Sequence, residues 1–179
     1  SMGKALEHRG PDSNGYFLKD NLGFGIQRLK VIDLETGDQP IFSNNKRFVI
    51  VFNGEIYNYL EIKEDLKKEG FKFYTETDTE VIVNLYQKEG VNCIYKLNGM
   101  FSFAIYDIIN KKLIVCRDRN GIKPLYYYYK NGRFVFSSEL NSLLKYPNIE
   151  KALNYNAIDI YLTMESIPSP LSIYKDINK

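Results

Sequence analysis

A chain of 179 residues with 44% hydrophobic content is long enough for one domain with a sizeable buried core. Lys and Arg number 24 against 22 Asp and Glu, a formal charge of +2, which argues against nucleic acid as a partner. A single histidine (His8) and two cysteines in unrelated contexts (Cys93, Cys116) argue against a histidine-based metal site, a Ser-His-Asp triad and a disulfide framework.

No apolar run reaches the roughly 20 residues of a membrane span, no signal peptide is visible, and the cysteine usage fits a reducing cytoplasm. Ser1-Met2 reads as a tag remnant, residues 3–165 as one domain, and 166–179 as the start of a linker. Residues 16–19 and 22–27 predict strands around an Asp20-Asn21 turn. The apolar run from Arg47 to Phe52 predicts a buried strand that ends at Asn53-Gly54. Asn58 and Glu61 have the spacing of a capping box, and Ile62 and Leu66 share the face of the helix that follows, with Gly70 as its stop. Phe71 to Tyr74 has the composition of a short strand. A second helix is expected from Asp78, with Val81, Ile82, Leu85 and Tyr86 as its apolar stripe and Gly90 at its end. Strands follow at 101–107, 113–116, 125–129 and 133–136, the last two joined by Asn131-Gly132, a strong two-residue hairpin signal. Short helices are expected at 138–144 and after Asn154, and Pro168-Ser169-Pro170 marks an extended exit. Hairpins alongside separate helices give an α+β class rather than a parallel doubly wound sheet.

The sharpest chemical feature is Asn53-Gly54-Glu55 after a buried strand. A side-chain amide beside a free backbone N–H is the equipment of an oxyanion hole, although an Asn-Gly pair is also an ordinary turn. Arg28 could meet a carboxylate, and Glu55 or Asp78 an ammonium, as a pocket for a free amino acid requires. Taken singly, Arg28 reads equally as a surface ion pair and Asp78 as a helix cap. Cys93 and Cys116 read as small buried apolar residues, with no base beside either in sequence.

Seven segments in order then carry a resemblance: HRGPDSNG (8–15), QRLKVIDLETGDQP (27–40), VFNGEIYNY (51–59), TDTEVIVNLY (77–86), LNGMFSFAIYD (97–107), RDRNGIKPLYYY (117–128) and FSSEL (136–140). Together they resemble the class II glutamine amidotransferase domain of glutamine-dependent asparagine synthetases. The resemblance implies an N-terminal-nucleophile hydrolase: a four-layer αββα sandwich of mostly antiparallel sheets, here lacking its first strand. It implies a cysteine nucleophile at the mature amino terminus, with the chain's own α-amine as base. By motif position, the Asn53 side chain and Gly54 N–H would form the oxyanion hole. Arg28 would hold the glutamine α-carboxylate, and Glu55 and Asp78 the α-amine. The backbone of Leu29, Lys30, Val31 and Ile32 would line the pocket, and Arg9 and Gly10 would lie near the nucleophile.

No metal or cofactor is implied for this domain; ATP and magnesium belong to a C-terminal synthetase domain, the expected partner that uses the ammonia. Only seven residues precede His8 and none is Cys, so the chain as written is expected not to hydrolyse glutamine. Its uncovered sheet edge invites strand exchange or a homodimer. Ile26 and Lys30 stand where the family often has His and Ser. Two alternatives remain: a non-catalytic binding or regulatory module of the same fold, and an amidotransferase with another acceptor, such as a sugar.

Overall fold

A computed structural model describes residues 2–179; Ser1, half of the expected tag remnant, lies outside the described residues. The chain divides into two compact units, one of residues 7–123 and one of residues 124–179 with the first few residues. Every strand ladder among the described residues is antiparallel.

In the larger unit, β1 (Ser13–Lys19) and β2 (Leu22–Arg28) form a hairpin around Asp20, which takes a left-handed conformation. A four-stranded sheet follows in the order β3 (Ile41–Phe42), β4 (Phe48–Ile56), β5 (Gly99–Asp107) and β6 (Lys112–Arg117). Helices α1 (Tyr59–Lys68) and α2 (Asp78–Glu89) cover one face of it. Because side chains alternate along a strand, Ile50, Phe52 and Ile56 point to the helices and meet Ile62, Leu66, Val81, Ile82 and Leu85. Each such side chain is worth about 1.5–3 kcal/mol when fully buried, so this cluster anchors β4 and α2 against one another.

Three local expectations are corrected. β4 does not end at Asn53-Gly54 but runs on to Ile56, because Asn53, Gly54 and Glu55 pair with Ser102, Phe101 and Met100 of β5. Asn58 does not cap α1 through its side chain; that amide accepts from Asn98 N–H at 3.0 Å and donates to Lys96 C=O at 2.9 Å, tying the helix start to the approach of β5. Residues 71–74 form no strand, since Tyr74 N–H and the next amide, Thr75 N–H, donate to the buried carboxylate of Glu80 instead of a ladder.

In the smaller unit, β7 (Tyr126–Lys130) pairs with β8 (Arg133–Ser137) through Asn131-Gly132, both at positive φ as the tightest hairpin turn demands. Helices α3 (Leu140–Leu143) and α4 (Tyr155–Met164) follow; Asn154 caps α4 by accepting from Ala157 N–H at 3.3 Å. Residues 166–179, read above as the start of a linker, contain β9 (Ile177–Asn178), which joins the free side of β7. Ile177 is 1% exposed and packs with Tyr128, Val135 and Leu143, and Met2 lies against the same cluster.

Candidate functional site

The outer edge of β4 organises the site. In an antiparallel ladder, successive residues turn their N–H and C=O groups to opposite sides. Phe101 of β5 gives its N–H to Asp118 Oδ2 at 3.2 Å, and its C=O accepts from Asp118 N–H at 2.7 Å. Both groups of Phe101 therefore face β6. Gly54, directly opposite Phe101, must turn its own N–H the other way, to the outer edge. On that edge Phe52 N–H donates to Gln39 Oε1 at 2.7 Å and Ile56 N–H donates to Asp78 Oδ2 at 3.0 Å. Between these two satisfied donors, no side chain or loop carbonyl among the described residues accepts the Gly54 N–H. Asn53 turns its side chain to the face opposite the helices, where it is half-buried.

Position 54 tolerates only glycine for a packing reason. A Cβ there would lie 2.2 Å from Met100 O and 2.7 Å from Phe101 Cα, both backbone atoms that cannot swing aside.

Asp78 opens α2, but Thr77 is the cap, accepting from Glu80 N–H at 3.3 Å. The Asp78 carboxylate is thus spared for Ile56. It is 5% exposed, and among the described residues no Lys or Arg pairs with it. Burial pushes its pKa up, the N–H groups of Ile56 and Thr79 pull it back, and the nearby charge of Glu55 adds to the rise. A buried carboxylate next to a second acid, with no cation of its own, favours a cation that arrives from outside.

Arg28 supplies the opposite charge. It ends β2 and is 7% exposed. Its Nη2 donates to Ile32 C=O at 2.8 Å and Asp33 C=O at 2.7 Å, and its Nη1 to Asp38 Oδ1 at 3.0 Å. The loop between β2 and β3 therefore wraps the guanidinium. Gly37 fills the slot between Arg28 and α2: a Cβ there would stand 2.4 Å from Arg28 Nη2 and 2.3 Å from Thr77 Cγ2. Arg28 and the start of α2 are thus neighbours across one glycine.

The structure sets Asp78 on the edge of β4 at Ile56, with the charge of Glu55 close by, and Arg28 across Gly37 from Thr77 at the start of α2. Gly10 belongs with them: it is buried, and a Cβ would meet Gln27 C at 2.4 Å and Arg28 N at 2.5 Å. Arg9 is exposed. Along the loop, the side chains of Leu29 and Val31 are 57% and 72% exposed, while Lys30 N–H donates to Asp12 Oδ2 at 2.8 Å. Ile32 contributes its carbonyl to Arg28. The open depression on α1 lined by Leu60, Glu61, Glu64, Asp65 and Lys68 shares no residue with this arrangement.

Two supports went unpredicted. Gln39 pairs its side-chain amide with both backbone groups of Phe52, accepting at 2.7 Å and donating at 3.1 Å, and so continues the ladder where β3 stops. Asp33 accepts from Glu35 N–H at 3.2 Å, Thr36 N–H at 2.7 Å, the Thr36 hydroxyl, and Glu76 N–H at 2.8 Å. Burial opposes its ionisation, but these bonds hold its carboxyl below the ordinary carboxylate range. Both residues lie in the 27–40 segment; Gln39 reaches Phe52 and Asp33 reaches Glu76 only through long-range pairing, whereas the Glu35 and Thr36 bonds of Asp33 form a local turn.

With that geometry established, similarity to known proteins is informative. A glutamine phosphoribosylpyrophosphate amidotransferase from B. subtilis, solved with ADP and GMP, aligns with 58% of this chain and 25% of its own, at 28% identity and a TM-score of 0.50. A structure described as the allosteric regulatory enzyme of purine biosynthesis aligns with 67% of this chain and 28% of its own, at 25% identity and a TM-score of 0.56. The fold is accordingly that of the N-terminal-nucleophile amidotransferases, α+β with mostly antiparallel sheets. The family described as the glutamine amidotransferase domain matches residues 1–179, and the chain belongs to that family. A putative glutamine-hydrolysing asparagine synthetase 2 of Methanocaldococcus jannaschii is 44% identical over 99% of this chain and 38% of its own length. Glutamine-hydrolysing asparagine synthetase 1 of Bacillus subtilis is 39% identical over 99% of this chain and 28% of its own. The chain thus spans well under half the length of these relatives. No helix among the described residues is long and apolar enough to cross a membrane.

Proposed function

We propose that this chain forms the glutamine pocket and oxyanion hole of a glutamine-hydrolysing asparagine synthetase. The observation that carries the reading is the Gly54 N–H, directed to an open strand edge between two satisfied donors, with Asp78 bound two residues further along that edge and Arg28 across Gly37 from the start of α2. Glutamine is the substrate. Arg28 meets its α-carboxylate, and Glu55 and Asp78 meet its α-ammonium. The backbone of Leu29–Ile32 lines the pocket, with Gly10, and Arg9 beside it, near the nucleophile. A thiolate attacks the side-chain amide carbon, and the resulting oxyanion is held by the Asn53 amide and the Gly54 N–H. Ammonia leaves, and water then releases glutamate from the thioester. In the parent enzyme the ammonia reaches a synthetase domain, where ATP and magnesium activate aspartate and asparagine forms.

Neither cysteine of this chain supplies that thiolate. Cys93 is 0% exposed, in the core between sheet and helices, and burial pushes its pKa up to about 12. Cys116 packs against the same core and is likewise raised by burial. Asn53 faces the other side of the sheet. On this reading the chain by itself does not hydrolyse glutamine. The same shielded thiols favour a second reading, a non-catalytic glutamine-binding module. The test measures ammonia release from L-glutamine by the purified chain at high concentration. We expect none above background, with binding weaker than micromolar by calorimetry. Ammonia release that survives Asn53→Ala and replacement of both cysteines by serine would overturn these roles.

A further inference from the structure

We propose that Asp38 is an internal stand-in for the ligand's α-carboxylate, so that an amino acid enters the Arg28 site by exchange with Asp38. The inference rests on the reading of Arg28 given above and adds a residue that sets its selectivity.

Three of the five N–H donors of the Arg28 guanidinium are taken, and their partners are not equivalent. On Nη2 they are the backbone carbonyls of Ile32 and Asp33, in a loop pinned by the acceptor set of Asp33. Gly37 occupies the space beyond Nη2 so closely that no ligand oxygen fits there. Nη1 instead meets a side chain, Asp38, whose carboxylate is 56% exposed. A ligand carboxylate that replaces it presents an equivalent oxygen to the same Nη1 donor. The displaced group keeps other partners, since Asp38 also accepts from the Ser13 hydroxyl at 2.8 Å and lies 3.6 Å from Lys30 Nζ. Lys30 in turn donates to Leu34 C=O at 3.0 Å, which holds it beside the exit. The Ser13 bond first, then Arg28 and Lys30, outweigh burial and hold the Asp38 carboxyl below the ordinary range.

Asp38 is the exposed end of this pair, 56% against 8% for Arg28, so solvent screens it and exchange costs less than at a fully buried pair. Removal of Asp38 should free the site for carboxylates without unfolding the loop. The test is an NMR titration of the 179-residue chain with L-glutamine and with L-glutaminamide, which carries an amide in place of the α-carboxylate. Asp38→Ala should bind L-glutamine about two- to fivefold more tightly, and L-glutaminamide unchanged; Asp38→Asn should shift in the same direction. Arg28→Ala should remove the preference for L-glutamine over the amide. If Asp38→Ala binds L-glutamine equally or more weakly, or gains equally for both ligands, exchange is wrong and Asp38 only braces the loop. If L-glutamine perturbs no amide of Arg28, Gly54 or Asp78 in either protein, the glutamine reading itself falls, and the proposal with it.

Discussion

The carboxylate of Asp33 accepts the backbone N–H of Glu76 at 2.8 Å, across 43 residues of sequence. It joins the loop that wraps Arg28 to the turn that aims Asp78. Lys63 fixes the other side of that turn: 1% exposed, it donates to Thr75 C=O at 2.9 Å and Glu76 Oε2 at 2.6 Å. The two charged ends of the proposed pocket are thus braced through a common segment, residues 75–77.

Asp33→Ala removes four accepted hydrogen bonds at once. Loss of stability of about 1–3 kcal/mol is expected, read from the urea midpoint. The diagnostic readout is hydrogen exchange. The amides of Glu35, Thr36 and Glu76 should lose protection together, whereas those of β4 should keep theirs.

Gly54→Ala forces a methyl group to within 2.2 Å of Met100 O. The β4–β5 ladder must part locally, and about 1–3 kcal/mol of destabilisation should follow, with an unchanged denaturant slope. Glutamine binding should be lost even at temperatures where the variant is fully folded, because the displaced strand no longer presents its N–H at the edge.

Asp78 gives a pH signature. Burial, with Glu55 adding to it, raises the folded-state pKa above that of the unfolded chain. The stability from this carboxyl is fully present below the ordinary carboxylate pKa and is lost as pH rises through the raised value. Asp78→Asn retains an acceptor for Ile56 N–H and carries no such dependence. Its urea midpoint should gain on the wild type as pH rises from the ordinary carboxylate range through the raised pKa of Asp78. Its glutamine affinity should fall about tenfold or more, as expected on loss of a charged hydrogen bond. Parallel pH curves for the two proteins would refute the assignment.

Local chemistry made much of this fold legible. Asn131-Gly132 announces its hairpin because both positions adopt positive φ, and Gly90 announces the end of α2 for the same reason. Asn53-Gly54 looks like the same kind of signal and is not. Nine residues of β5 face β4 in register, and that long-range pairing overrides a two-residue turn preference. Asn58 misleads similarly: its spacing to Glu61 fits a cap, yet Lys96 and Asn98 compete for the amide and win. Arg28 and Asp78 could be singled out as charges suited to a zwitterion. The tertiary roles of Gln39, Asp33 and Asp38 could not, since Gln39 meets Phe52, Asp33 meets Glu76, and Asp38 meets Ser13 and Arg28 only once the chain has folded.

The brevity of β3 has one last consequence. Its register, Ile41 opposite Ile50, would set residue 39 against Phe52 and residue 37 against Gly54 if the strand began four residues sooner. The Gln39 amide instead mimics one rung and the carboxylate of Asp78 takes another, so the rung between them has no occupant among the described residues. Under the proposed function, the oxyanion site is then a product of topology: a neighbouring strand that starts late leaves ordinary sheet valence open to developing charge. Lengthening β3 by redesign would silence the site without touching any residue that meets the substrate.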